Sequence, residues 1–277
     1  MSKKTKKDYT NEEVIASLQL KNDILFSAVF EDLGAAQELV RTVLDDDTIV
    51  LKEAKTQYDV TNIRGHSARL DMYGESTKGH LHNVEVQIHF QDVPKERRVE
   101  YMRKRAFYNA SLIAGMKFEK SKNYLDMQDI YIVFLLEDDE FGTNKTVEYI
   151  TEHVASTDEL LDSFVHYIFI NASVDDGTKV SHLMKMFNDS SIYNEEFKQI
   201  AEVTNRIKYI EGGNSIMGKT LFEEFKEQLI EETEAKTRKE TRIDTTIEYY
   251  KDGLIPAEKA AEKLCMSVEE FLEKYSK

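Results

Sequence analysis

Asp71 and Glu85 stand in two short stretches, Arg69-Leu70-Asp71-Met72-Tyr73 and Val84-Glu85-Val86-Gln87-Ile88, separated by a turn around Lys78. Leu70 and Met72 alternate with Asp71 and Tyr73, and Val84, Val86 and Ile88 alternate with Glu85, Gln87 and His89. Side chains in a strand point to opposite faces with period two, so the pattern predicts a β-hairpin with one apolar and one polar face. Paired symmetrically about Lys78, the strands would set Asp71 directly across from Glu85. Two facing carboxylates repel unless a cation or a proton lies between them, and the chemistry to expect is therefore a bound metal ion. An ordinary solvated hairpin face would carry the same alternation.

The elements around this hairpin read as an α/β chain. From Asn11 to about Leu44 the apolar positions Leu25, Val29, Leu33, Leu39, Val40 and Val43 fall at helical spacing, with a break near Gly34-Ala35-Ala36. Residues 48–67 suggest one or two irregular strands. After the hairpin, Pro94 opens a helix that runs to about Ile113, with Gly115 as its terminator. Arg98, Tyr101, Arg105, Tyr108 and Leu112 occupy one stripe of it, at alternating steps of three and four. The continuous apolar runs Ile130–Leu136 and His166–Asn171 predict buried strands, and beyond Val180 the chain reads as wholly helical. Leu221 to about Tyr250 predicts a long charged helix. Gly253 to Tyr275 predicts a helical hairpin, its second helix opening at Ser267 with Glu270 at capping-box spacing.

Bulk composition narrows the function classes. The single cysteine, Cys265, excludes an internal disulfide framework and suits a reducing compartment. No segment approaches the roughly 18 apolar residues of a membrane span, so a cytoplasmic protein is expected. A net charge of −15 opposes non-specific binding to a polyanion. Locally the balance reverses: residues 95–122 hold nine Lys and Arg against three acids, and this basic stretch begins just after the hairpin. A solvated helix face or a phosphate-binding surface would both produce it.

Taken in order, several segments resemble the Rpn family of recombination-promoting nucleases, or PD-(D/E)XK family transposases. Leu70-Asp71-Met72 with Val84-Glu85-Val86-Gln87 resembles the D…E-x-Q variant of the nuclease motif. Lys21-Asn22-Asp23-Ile24-Leu25-Phe26 is similar to the family's opening helix, and Arg97-Arg98…Tyr101…Arg105…Tyr108 to its basic, tyrosine-bearing helix. Tyr131–Leu136 with Phe141-Gly142 and the strand ending in Asn171 complete the set, which spans about residues 20–215. The resemblance implies a restriction-endonuclease-like α/β core with a mixed central sheet flanked by helices, followed by an all-helical C-terminal extension. It also implies a Mg²⁺-dependent deoxyribonuclease, with Mn²⁺ as a substitute, acting on DNA in recombination or mobile-element biology.

Under that resemblance Asp71, Glu85 and the Val86 backbone carbonyl would hold the metal. Gln87 would orient the attacking water where the common motif has lysine, since glutamine can hydrogen-bond but supplies no positive charge. Asp23 matches the family's leading acid in second rank, an N-cap role being the competing explanation. Arg98, Tyr101, Arg105 and Tyr108 would meet substrate phosphate.

The implied organisation is a flexible basic tail over 1–13, a nuclease-like domain over 14–215, and a charged helix with helical hairpin over 216–277. Self-association as a homodimer would run through the C-terminal helices. A catalytically weak or inactive relative that binds DNA or protein is the alternative, as is an acidic assembly protein. His66, His80, His82 and His89 lack zinc-ligand spacing. Gly212-Gly213-Asn214 with Gly218-Lys219-Thr220 lacks the strand and glycine spacing of a phosphate loop. Glu269, Glu270 and Glu273 would repel DNA from the terminal hairpin.

Overall fold

The fold was analysed in a computed structural model that describes residues 15–62, 65–87, 90, 93–118, 123–190, 194–211, 241–264 and 266–275. His89, Cys265, the glycine-containing stretch over 212–220 and the 221–240 part of the expected charged helix lie outside these. The chain divides into two compact units, Met1–Phe222 and Glu223–Lys277.

The first unit is an α/β fold around a six-stranded mixed sheet. Its elements run α1 (Asp23–Phe30), α2 (Leu33–Leu44), β1 (Leu51–Val60), β2 (Ala68–Ser76), β3 (Leu81–Gln87), α3 (Arg98–Lys117), β4 (Ile130–Leu136) and β5 (Val147–Ile150). The two-residue strands β6 (His153–Val154) and β7 (Glu159–Leu160) pair with each other, and β8 (Val165–Asn171), α4 (Lys179–Asn188) and α5 (Lys198–Asn205) follow. The sheet order is β1-β2-β3-β4-β8-β5. β3, β4 and β8 are mutually parallel, and the remaining pairs are antiparallel.

The continuous apolar run of β4 is explained by this position. It lies between two parallel neighbours and is buried along almost its whole length. Met102, Ala106, Ala110 and Ile113 of α3 pack with Ile130, Ile132, Phe134 and Leu136 of β4. Helices α1 and α2 pack on β1 and, with α4 and α5, on one another. The rings of Phe26, Phe30 and Phe187 meet there, with the Phe26 and Phe30 centroids 4.5 Å apart. Asn22 caps α1 and Asp32 caps α2, each side chain accepting from two backbone N–H groups of its helix.

Several expectations need correction. The first helical region breaks at Glu31-Asp32, before Gly34. The basic helix passes through Gly115, whose side faces open space, and ends at Lys117. The irregular strand expected over residues 48–67 is present as β1, with a register shift between Leu51 and Glu53. The chain beyond the first apolar strand also holds β5, an edge strand too short and half-buried to stand out by periodicity.

In the second unit, residues 241–251 are helical, followed by α6 (Ala257–Lys263) and α7 (Val268–Tyr275). Ala260, Ala261 and Phe271 form its core, with the Tyr250 ring edge-on to Phe271. The capping box is present: Ser267 N–H donates to Glu270, and Glu270 N–H to the Ser267 hydroxyl. Among the described residues, no helix is long and apolar enough to cross a membrane.

Candidate functional site: a carboxylate fork between two strands

The hairpin pairs with Met72 opposite Val84, Tyr73 opposite Asn83 and Glu75 opposite Leu81, a register symmetric about Lys78. β2 and β3 pair no further than Met72 and Val84, although β2 stays on β1 and β3 on β4 along their lengths. The sheet therefore forks, and Asp71 and Glu85 occupy the opening.

Each acid bonds to the other's strand. Val86 N–H donates to Asp71 Oδ2 at 2.8 Å, and Asp71 N–H donates to Glu85 Oε1 at 3.3 Å. Two carboxylates thus satisfy backbone donors that a continued ladder would have used.

The polar face of the hairpin is buried, unlike an ordinary solvated hairpin face. Asn83 and Glu85 have no exposed surface, because α3 covers them. Its Asn109 Nδ2 donates to Asn83 Oδ1 at 3.2 Å, and Asn83 Nδ2 donates both to Glu85 Oε1 at 2.8 Å and to the Met72 carbonyl at 3.1 Å. Arg105 Nη2 donates to Glu85 Oε2 at 2.6 Å, and its Nη1 donates to Gln87 Oε1. The guanidinium also lies over the Phe134 ring, 5.5 Å from its centroid. Strict alternation fails at Asp71 as well: Leu70 and Tyr73, three residues apart, join the same core cluster. Near the same level of the neighbouring strand, Gln57 takes a left-handed conformation, φ 48°.

Burial in this fork disfavours negative charge. Asp71 is pushed up from 3.8 to about 7, first by burial, then by the facing Glu85, with Asp23 adding to the rise. Burial likewise raises Glu85, against the pull of Arg105 and Asn83. Burying one carboxylate costs several kcal/mol unless it is paired, and Arg105 supplies that partner for Glu85.

The fork brings Asp71, Glu85, Gln87, Val86 and Arg105 together, with Asp23 close enough to perturb Asp71 electrostatically. Asp23 is in the first turn of α1, one residue after the true N-cap, Asn22. The other stripe residues of α3 are engaged elsewhere. Arg98 Nη1 donates to the buried Glu140 at 2.8 Å and its guanidinium covers Phe90. Half-exposed Tyr101 meets Phe90 edge-on. The Tyr108 hydroxyl donates to the His66 carbonyl and accepts from Asn62.

Sequence reasoning missed Asn83 and Asn109. The signal was partial: Asn109 interrupts the apolar stripe of Met102, Ala106, Ala110 and Ile113, whereas Asn83 falls on the same polar face as Glu85 by alternation and does not stand out. Asp71 and Glu85 offer only oxygen donors, and among the described residues no group of three or more His, Cys, Asp or Glu is arranged to hold a metal ion. Comparison with known proteins found no matching family model, no matching curated protein and no matching solved structure, so what the fork can do is judged from its own chemistry.

Proposed function

We propose that this protein is a divalent-metal-dependent deoxyribonuclease of the PD-(D/E)XK type, hydrolysing DNA phosphodiester bonds in the cytoplasm in recombination or mobile-element biology. The observation that carries the reading is the fork itself. Two carboxylates face each other where β2 and β3 part, and Asp71 is raised to about 7 by burial and by Glu85. That arrangement is costly to a protein with no use for it.

The donor set fits a hard cation. Mg²⁺ is typically held by one or two carboxylates, with water and substrate phosphate completing its shell, so two acids and the Val86 carbonyl suffice without a third acidic ligand. When bound, such an ion lowers the pKa of its water and neutralises charge building on the phosphorus centre.

The chain's own residues divide the remaining work. Asn83 and Asn109 hold Glu85 from one side, and Asp71 N–H and Arg105 hold it from the other. Gln87 orients water by hydrogen bonding, its own oxygen oriented by Arg105. Arg105 thereby brings positive charge beside the position that lysine occupies in the common motif. Arg98, committed to Glu140, steadies the helix end, and Tyr101 is the stripe residue most open to nucleic acid. Self-association through residues 216–277 accompanies this reading and is checked by sedimentation with and without that segment.

A supercoiled-plasmid assay with Mg²⁺, Mn²⁺ and chelator tests the proposal. Wild type is expected to nick or linearise DNA with either ion, and Glu85→Gln to be inactive while folded. Metal-independent cleavage, or full activity in the variant, would count against it. One observation favours a second reading, a nuclease-fold binding module without catalysis: Arg105 already neutralises Glu85 internally. Failure of wild type to bind Mn²⁺ in calorimetry, with DNA binding intact, would select that reading.

A further inference from the structure

Arg105 serves two acceptors at once, Glu85 through Nη2 and Gln87 through Nη1. The Glu85 side chain is wholly buried, whereas 32% of the Arg105 side chain is exposed, so the guanidinium lies at the boundary between the carboxylate and solvent. Both Glu85 oxygens are engaged: Oε1 accepts from Asp71 N–H and Asn83, and Oε2 from Arg105. A divalent ion arriving at Glu85 meets a fixed positive charge on the same carboxylate, and like charges at contact distance oppose each other. Removing that charge alone would leave a buried anion without a partner.

We propose that Arg105 couples metal loading to phosphate binding. In the metal-free protein it neutralises Glu85; it leaves Oε2 when a divalent ion and a nucleic-acid phosphate arrive together, and it carries its charge to the phosphate. The inference rests on the metal-site reading above. The chemistry of the exchange is matched, because the planar guanidinium forms the same paired N–H bonds with phosphate as with carboxylate. Two other cations on α3 are committed elsewhere, Arg98 to Glu140 and Lys104 to Glu100. By linkage, each ligand must then tighten the other's binding by the same factor.

The test measures Mn²⁺ affinity by paramagnetic resonance of the free ion, with and without a short phosphorothioate DNA that resists cleavage. Wild type is expected to bind Mn²⁺ about tenfold or more tightly with the DNA present. Arg105→Gln is expected to bind Mn²⁺ more tightly than wild type when DNA is absent, with coupling near unity. Mn²⁺ should also raise its melting temperature more than it raises that of wild type. Should Arg105→Gln not fold without metal, Arg105→Lys replaces it. That variant keeps the charge but cannot bridge both acceptors, and its coupling is expected to fall below wild type. Coupling equal to wild type in a folded variant, or wild-type Mn²⁺ affinity indifferent to DNA, overturns the exchange while leaving the metal site standing. No Mn²⁺ binding by any of these proteins, with or without DNA, overturns the metal site and the exchange with it.

Discussion

Replacing Asp71 by asparagine is expected to make the protein more stable in alkaline solution while removing its activity. In the folded, metal-free chain Asp71 is raised from 3.8 to about 7, mainly by burial and by Glu85. Between those values the folded state keeps a proton that the unfolded state has released. Stability from this group is therefore complete below about pH 4, falls as pH rises through about 7, and is flat above that. The gap corresponds to about 4 kcal/mol. Asparagine keeps the shape and retains an oxygen to accept from Val86 N–H, but it carries no charge. Near pH 4 the variant and wild type should melt together. At about pH 9 the variant should be the more stable by up to about 4 kcal/mol, on the order of 10 °C in Tm for a unit of this size. Thermal and urea unfolding of both proteins in chelator measures the difference. Adding Mn²⁺ should narrow it, because a cation stabilises only the charged wild-type site. A gap that is independent of pH, or an asparagine variant that is the less stable at high pH, would refute the reasoning.

Other perturbations separate structural from functional roles. Arg98→Met strands the nearly buried Glu140 and should cost about 2–3 kcal/mol in urea unfolding, with Mn²⁺ affinity unchanged. His82 is buried against Tyr131 and its folded-state value is lowered from 6.5 to about 4, so stability is lost as pH falls through that window, opposite in sign to Asp71. His82→Leu should flatten the acid limb of a stability-pH profile by about 3 kcal/mol. Asn83→Ala leaves Glu85, the Met72 carbonyl and Asn109 each short of a partner, and should cost at least about 2 kcal/mol in chemical unfolding while weakening Mn²⁺ binding.

The pairing of Asp71 with Glu85 was legible because a symmetric turn and period-two alternation determine which residues meet. What alternation leaves open is what covers a face. Alternation is equally compatible with a solvated polar face, yet α3 lies over this one and supplies Asn109 and Arg105. Leu70 and Tyr73 share a cluster despite their odd spacing, and the neighbouring strand is left-handed at Gln57, features that alternation does not signal. Asn22 rather than Asp23 caps α1, a one-residue choice that cap propensities do not decide. Glycine signals a helix stop at 115, but it costs a helix only about 1 kcal/mol, and α3 continues for two exposed residues, of which Lys117 pairs with Glu75. The division of the basic stripe, with Arg105 turned to the fork and Arg98 to Glu140, depended on a loop distant in sequence.

The central claim, that the fork of β2 and β3 is a metal-dependent phosphodiesterase centre, is tested most directly by the plasmid-cleavage rate of Asp71→Asn beside wild type, in Mg²⁺ above pH 7. Wild type is expected to cleave in a metal-dependent way and the variant not above background, although the variant is the more stable protein. Equal cleavage by the two, or cleavage by wild type that survives chelator, would contradict it.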